Sequence, residues 1–109
     1  MTNQLHHFIG GQKVSGTSGR FLDVYNPNTG EVSAQTPLAS ADEVRAAIAS
    51  SAQAFPEWAA TNPQRRARVM FNFKRLIEDN MDDLAEMLSM QHGKVVADSR
   101  GDVQRGLEV

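Results

Sequence analysis

The sequence predicts an α+β segment: a β ribbon of short hairpins over about residues 7–38, followed by about four α-helices over about residues 40–109. Three observations predict it. Gly-Gly, Ser-Gly-Thr-Ser-Gly and Asn-Pro-Asn-Thr-Gly cut the first third into runs of strand length. From Val44 onward the apolar residues recur at helical spacing. Between these regions stands Ser40-Ala41-Asp42-Glu43, a capping box whose serine hydroxyl accepts from the Glu43 amide while the Glu43 carboxylate reaches back.

Each element follows in order. His7-Phe8-Ile9 and Gln12-Lys13-Val14 flank Gly10-Gly11, a hairpin signal because both turn residues adopt φ > 0 at little steric cost. Residues 15–19 form a loop, and Phe21 to Tyr25 alternate imperfectly, as a half-buried strand does. Asn26 to Gly30 is a cluster of turn formers. Glu31 to Leu38 resumes an extended pattern with Val32, Ala34 and Thr36 on one face, and Pro37 places that strand's end at an edge. A first helix carries Val44, Ala47, Ile48, Ser51 and Phe55 on one face and is expected to end at Pro56. Asn62-Pro63 starts the second, with Pro63 at a first-turn position where its missing N–H costs nothing; its apolar face runs Val69, Met70, Phe73, Leu76 and Ile77. The third starts near Asn80, with Asp82 and Asp83 at the positive end of the dipole and Gly93 as the residue after its C-cap. The fourth starts near Lys94 and carries Val95, Val96, Ser99, Val103 and Leu107. It runs to Leu107-Glu108-Val109 without a breaker, so the chain is expected to be the opening of a longer polypeptide. A ribbon of two hairpins is marginal alone, so it is expected to pack on something else, such as a sheet formed later in that polypeptide.

Composition bounds the function. At 40% hydrophobic and 22% charged, the chain reads as a single globular segment. A net charge of -2 argues against a dedicated nucleic-acid binder. No apolar run approaches the roughly 20 residues of a membrane span. The first residues carry neither a signal-peptide pattern nor the Arg- and Ser-rich character of a transit peptide, and a cytoplasmic setting is expected. With no cysteine, these residues hold no disulfide, thiolate metal site or cysteine nucleophile.

Several clusters invite a functional reading and accept a plainer one. Arg65, Arg66 and Arg68 resemble a phosphate patch, but a solvated face near a helix start accounts for them. Cations there oppose the dipole, so they call for partners, with Glu57 and Glu78 nearest in sequence. His6 and His7 are adjacent and point to opposite faces of a strand, which disfavours a shared metal. His92 suits the C-terminal dipole of its helix. Phe55, Trp58, Phe71 and Phe73 have the spacing of core residues rather than of a base-stacking surface. Glu78, Asp79, Asp82 and Asp83 lack calcium-loop spacing and fit helix-junction capping. The glycines at 10, 11, 16 and 19 do not form a dinucleotide fingerprint, which needs a strand before it and a helix after it. By spacing alone, Arg105 is an exposed helical arginine.

The longer motifs carry a resemblance over nearly the whole chain from Phe8. Phe8-Ile9-Gly10-Gly11, Val24-Tyr25-Asn26-Pro27 with Thr29-Gly30-Glu31-Val32, and Ala54-Phe55-Pro56-Glu57-Trp58 are similar to the aldehyde dehydrogenase superfamily. Arg65 to Phe71, His92-Gly93-Lys94, and Gly101-Asp102-Val103-Gln104-Arg105-Gly106-Leu107-Glu108-Val109 resemble its CoA-acylating methylmalonate-semialdehyde dehydrogenase branch. The resemblance implies that the chain is the N-terminal part of such an enzyme, ahead of its catalytic domain and belonging to its Rossmann-like NAD domain. It implies a homo-oligomer using NAD and coenzyme A. There a catalytic cysteine attacks the semialdehyde, hydride passes to NAD, and coenzyme A accepts the acyl group with loss of carbon dioxide or bicarbonate. Valine and inositol catabolism are the implied settings. The cysteine, the oxyanion-hole asparagine and the main NAD-binding residues are not among these 109 residues. The segment is therefore expected to be inactive alone, to bind no cofactor tightly and to have the rest of the subunit as its partner. One residue carries over: Arg105 matches the arginine that this branch directs at the substrate carboxylate. The alternative is a non-catalytic module that docks on full-length dehydrogenase subunits.

Overall fold

A computed structural model describes residues 3–109, in the element order five strands then four helices. The chain divides into two compact units. The first contains residues up to Tyr25 and Gly30–Ala60, and the second contains Asn26–Thr29 and Thr61–Val109.

In the first unit, β1 (Asn3–Gln4), β5 (Val32–Pro37) and β4 (Phe21–Tyr25) form one sheet in the order β1-β5-β4. β5 runs antiparallel to β4, with Phe21 opposite Pro37 and Val24 opposite Ala34, and parallel to β1. Strand β1 carries no alternation and no β-branched residue, so its sequence gives no strand signal. β2 (His7–Ile9) and β3 (Gln12–Val14) make the expected hairpin, with Gly10 and Gly11 at φ 61° and 78°. This pair of positive angles is the turn geometry that matches the twist of the flanking strands.

The expectation for Pro37 requires correction. β5 is the central strand of its sheet, not an edge strand. Proline is accommodated because β1 pairs only with Ala34 and Gln35, so the ladder on that side has already finished. Ala34 and Pro37 are buried, and Thr36 is half-buried.

Helix α1 (Ala41–Ala60) begins as the sequence dictates. The Glu43 amide donates to Ser40 Oγ at 3.2 Å, and the Ser40 amide donates to Glu43 Oε2 at 2.7 Å. The other Glu43 oxygen accepts from the Thr17 amide at 2.7 Å, so one carboxylate both caps the helix and fastens the 15–19 loop. Pro56 does not end this helix, as expected from sequence, but lies inside it. Its fixed φ is helical, and it removes only one amide donor, so the remaining turn continues to Ala60.

The second unit is helical. In α2 (Pro63–Asp79) Asn62 caps the start, its Oδ1 accepting from the Gln64 amide at 2.8 Å. α3 (Met81–His92) ends at Gly93, whose φ of 87° is the left-handed closing conformation. α4 (Val96–Glu108) packs against α3. The turn Asn26–Thr29 belongs to this unit, with Asn26 Oδ1 accepting from the Asn28 and Thr29 amides.

The core is small. Among the described residues, Ala34 is the buried hydrophobic residue of the first unit; in the second unit Met81 and Ala85 are buried, as is Ser99. The aromatic residues expected in a core are on the surface instead: Phe55, Phe71 and Phe73 are more than half exposed, and Trp58 is 43% exposed. Helical spacing shows which face is apolar but not what covers it.

Candidate functional site

Arg105 stands in the last turn of α4, where a cation is favoured by the helix dipole. Its guanidinium folds back along its own helix. Nε donates to the Gly101 carbonyl at 3.3 Å, and Nη2 meets Asp102 Oδ1 at 3.0 Å. The other oxygen of Asp102 is taken by Lys94 Nζ. Lys94 lies in the short connection between α3 and α4, so Asp102 stands between a loop cation and a helical cation. Lys94 and Asp102 are half-buried, whereas the Arg105 side chain is 75% exposed. Chemically, this leaves a guanidinium available to an anion from solvent, with a carboxylate fixed at its side.

Lys94 and Asp102 were not singled out as site residues by sequence reasoning. The spacing of Asp102 and Arg105, three apart on a helix, was a readable signal for their pairing. No local pattern signals Lys94, because it reaches Asp102 only through the turn at Gly93.

The other sequence candidates are not gathered around Arg105. Arg65 and Arg68 are exposed on α2, and Arg66 buries its Nε without a hydrogen-bond partner among the described residues. Glu78, considered as their partner, is instead held by Lys74. Asp79 pairs with Arg75 at 3.0 Å and Asp82 with Arg100, so these acids are largely neutralised by basic neighbours. His92 is exposed in the last turn of α3. His6 is exposed just before β2, and His7 within β2 is half-buried. Among the described residues, no group of three or more His, Cys, Asp or Glu is placed to hold a metal ion.

A strongly shifted acid lies in the first unit. Hydrogen bonds from the Ser40 and Thr17 amides hold the Glu43 carboxyl at about 2, well below its ordinary 4.5. This reports helix capping and loop fastening rather than catalysis.

Comparison with known proteins places this α+β segment. The model of the Aldehyde dehydrogenase family matches residues 13–109. The chain therefore belongs to the aldehyde dehydrogenase family, as the N-terminal α+β segment of that fold. A crystal structure from Sinorhizobium meliloti 1021, provisionally assigned as a methylmalonate-semialdehyde dehydrogenase and complexed with NAD, superposes with a TM-score of 0.94 at 55% identity, covering 99% of this chain and 22% of that one. Malonate-semialdehyde dehydrogenase 3 of Geobacillus kaustophilus is 46% identical over 98% of this chain and 22% of its own length. The human acylating methylmalonate-semialdehyde/malonate-semialdehyde dehydrogenase, a mitochondrial protein, is 42% identical over 94% of this chain and 19% of its own. The chain thus spans about a fifth of the length of the relatives it matches.

Proposed function

We propose that the chain is the N-terminal segment, ahead of the catalytic domain, of an NAD-dependent, CoA-acylating dehydrogenase for methylmalonate or malonate semialdehyde. The complete enzyme converts the semialdehyde, coenzyme A and NAD to propionyl-CoA or acetyl-CoA, NADH and carbon dioxide or bicarbonate. The segment is inactive alone. Its setting is cytoplasmic, in a homo-oligomer serving valine or inositol catabolism. The observation that carries this reading is the 55% identity over 99% of the chain to a dehydrogenase assigned to that substrate.

In this reading Arg105 recognises the carboxylate of the semialdehyde. A planar guanidinium grips a carboxylate through two parallel hydrogen bonds and so separates a semialdehyde acid from a plain aldehyde. The positive-φ glycines stand in turns, in loops and at a helix end, and among the described residues none forms a glycine-rich turn between a strand and a helix start. Both groups would be held by the remainder of the subunit.

The test is NADH formation by a complete subunit that carries this segment. Turnover of methylmalonate semialdehyde that requires coenzyme A, and none by the 109-residue chain alone, is the expected result. NADH formation independent of coenzyme A, or confined to aldehydes without a carboxylate, overturns the reading.

The exposed apolar faces favour a second reading, a non-catalytic segment that docks on full-length dehydrogenase subunits. Ile48 and Phe55 of α1 are 63% and 64% exposed, and Met70 and Phe73 of α2 are 57% and 55% exposed. Co-purification with a full-length subunit, under conditions where the chain itself supports no turnover, distinguishes it.

A further inference from the structure

We propose that Asp102 is a positioning residue for Arg105, and that Lys94 keeps Asp102 from occupying the edge of the guanidinium that meets substrate. The inference rests on the role of Arg105 proposed above.

The geometry of a guanidinium makes the argument. Its five N–H donors lie on two edges. One edge presents Nε and one proton of Nη2. The opposite end presents Nη1 and the second proton of Nη2. In this structure the Gly101 carbonyl takes Nε at 3.3 Å, and Asp102 Oδ1 meets Nη2 at 3.0 Å. Among the described residues neither partner meets Nη1, so donors on the Nη1 side stay open to a carboxylate.

An aspartate three residues before an arginine on a helix could instead turn both oxygens to the guanidinium. Here it does not, because Lys94 Nζ holds Oδ2. Lys94 belongs to the α3–α4 connection, fixed by the left-handed closure at Gly93. The half-buried Lys94–Asp102 pair therefore anchors the carboxylate, and the anchored carboxylate orients an otherwise exposed arginine. The arrangement lowers the conformational entropy that Arg105 loses on gripping a substrate.

The test uses the complete enzyme and two substrates, methylmalonate semialdehyde and propionaldehyde. Asp102→Asn is expected to raise KM for the semialdehyde about tenfold, the equivalent of one lost charge-assisted hydrogen bond. The discrimination between the two substrates, measured as the ratio of their kcat/KM values, is expected to fall by a similar factor. Asp102→Glu should recover part of the loss. Added to Arg105→Leu, Asp102→Asn should cost nothing further, because its target has gone. An unchanged or lowered semialdehyde KM in Asp102→Asn, with selectivity for the carboxylated substrate lost in Arg105→Leu, overturns this inference alone. Loss of selectivity in neither variant overturns the Arg105 reading itself. A variant that fails to fold is recognised by its thermal melt, and Asp102→Glu then decides: a semialdehyde KM between wild type and Arg105→Leu supports positioning, and a wild-type KM overturns it.

Discussion

The hydroxyls of Ser89 and Ser99 meet at 2.7 Å across the α3–α4 contact, and Ser99 has no exposed surface. Two small polar side chains thus let two helices approach closely, each satisfying the other. Ser99→Ala leaves the half-buried Ser89 hydroxyl without this partner and is expected to cost about 1 kcal/mol. Ser99→Val adds bulk to a site with no free surface and is expected to cost about 1–3 kcal/mol. Urea unfolding followed by circular dichroism checks both. A valine variant as stable as the parent would show that the α3–α4 contact is slack.

Two glycines should respond oppositely to alanine. At Gly93 the φ of 87° is strained for any side chain, and a Cβ would lie 3.1 Å from both Asn28 Oδ1 and Pro27 Cγ. Gly93→Ala is therefore expected to destabilise by more than about 1 kcal/mol, the cost of the left-handed conformation alone. At Gly106, inside α4, a Cβ would meet nothing within 4 Å. Gly106→Ala is expected to stabilise by about 0.5–1 kcal/mol through helix propensity. Thermal melts of the two variants test the contrast, and equal shifts of the same sign would contradict it.

Glu43 predicts a pH dependence. Its folded-state pKa of about 2 lies below the ordinary 4.5, so the folded protein binds this proton more weakly than the unfolded chain does. The stabilisation from this depressed carboxyl is complete above pH 4.5 and is lost as pH falls toward 2. Glu43→Gln should lower the melting temperature at neutral pH and flatten its decline between these limits. A decline as steep as the parent's over the same interval would show that other carboxylates dominate acid unfolding.

The sequence was most legible where structure is local. The capping box at Ser40 and Glu43, the Gly10-Gly11 hairpin, the Asn62-Pro63 helix start and the Gly93 closure all rest on contacts within a few residues, and all are present. Reading failed where a distant partner decides. Asn3–Gln4 becomes a strand only because β5 offers it a ladder. Pro37 is tolerated in a central strand only because β1 stops short of it. Phe55, Trp58, Phe71 and Phe73 have core-like spacing yet are exposed, since spacing carries no information on the opposing surface. For the candidate site, Arg105 stood out through the motif around it. Its tie to Asp102 was readable from helical spacing, whereas the grip of Lys94 on Asp102 was not, because it depends on how the chain turns between α3 and α4.

The exposed apolar face of α2 leads to a prediction about the chain in isolation. Val69, Met70, Phe73 and Leu76 lie on one side of the helix, each at least half exposed. Ala67, Phe73, Ile77 and Leu107 also border a cavity of about 410 Å³ with an apolar lining. Burying the exposed half of a large side chain gains about 1 kcal/mol, or about fivefold in an association constant. The 109-residue chain should therefore self-associate as its concentration rises, and Met70→Glu with Phe73→Glu should weaken that association by at least about twenty-fivefold, since each change also places a charge in the contact. Sedimentation velocity over a concentration series measures this directly. A parent chain that stays monomeric throughout would show that this face is too dispersed to bind another surface, and the docking reading would lose its support.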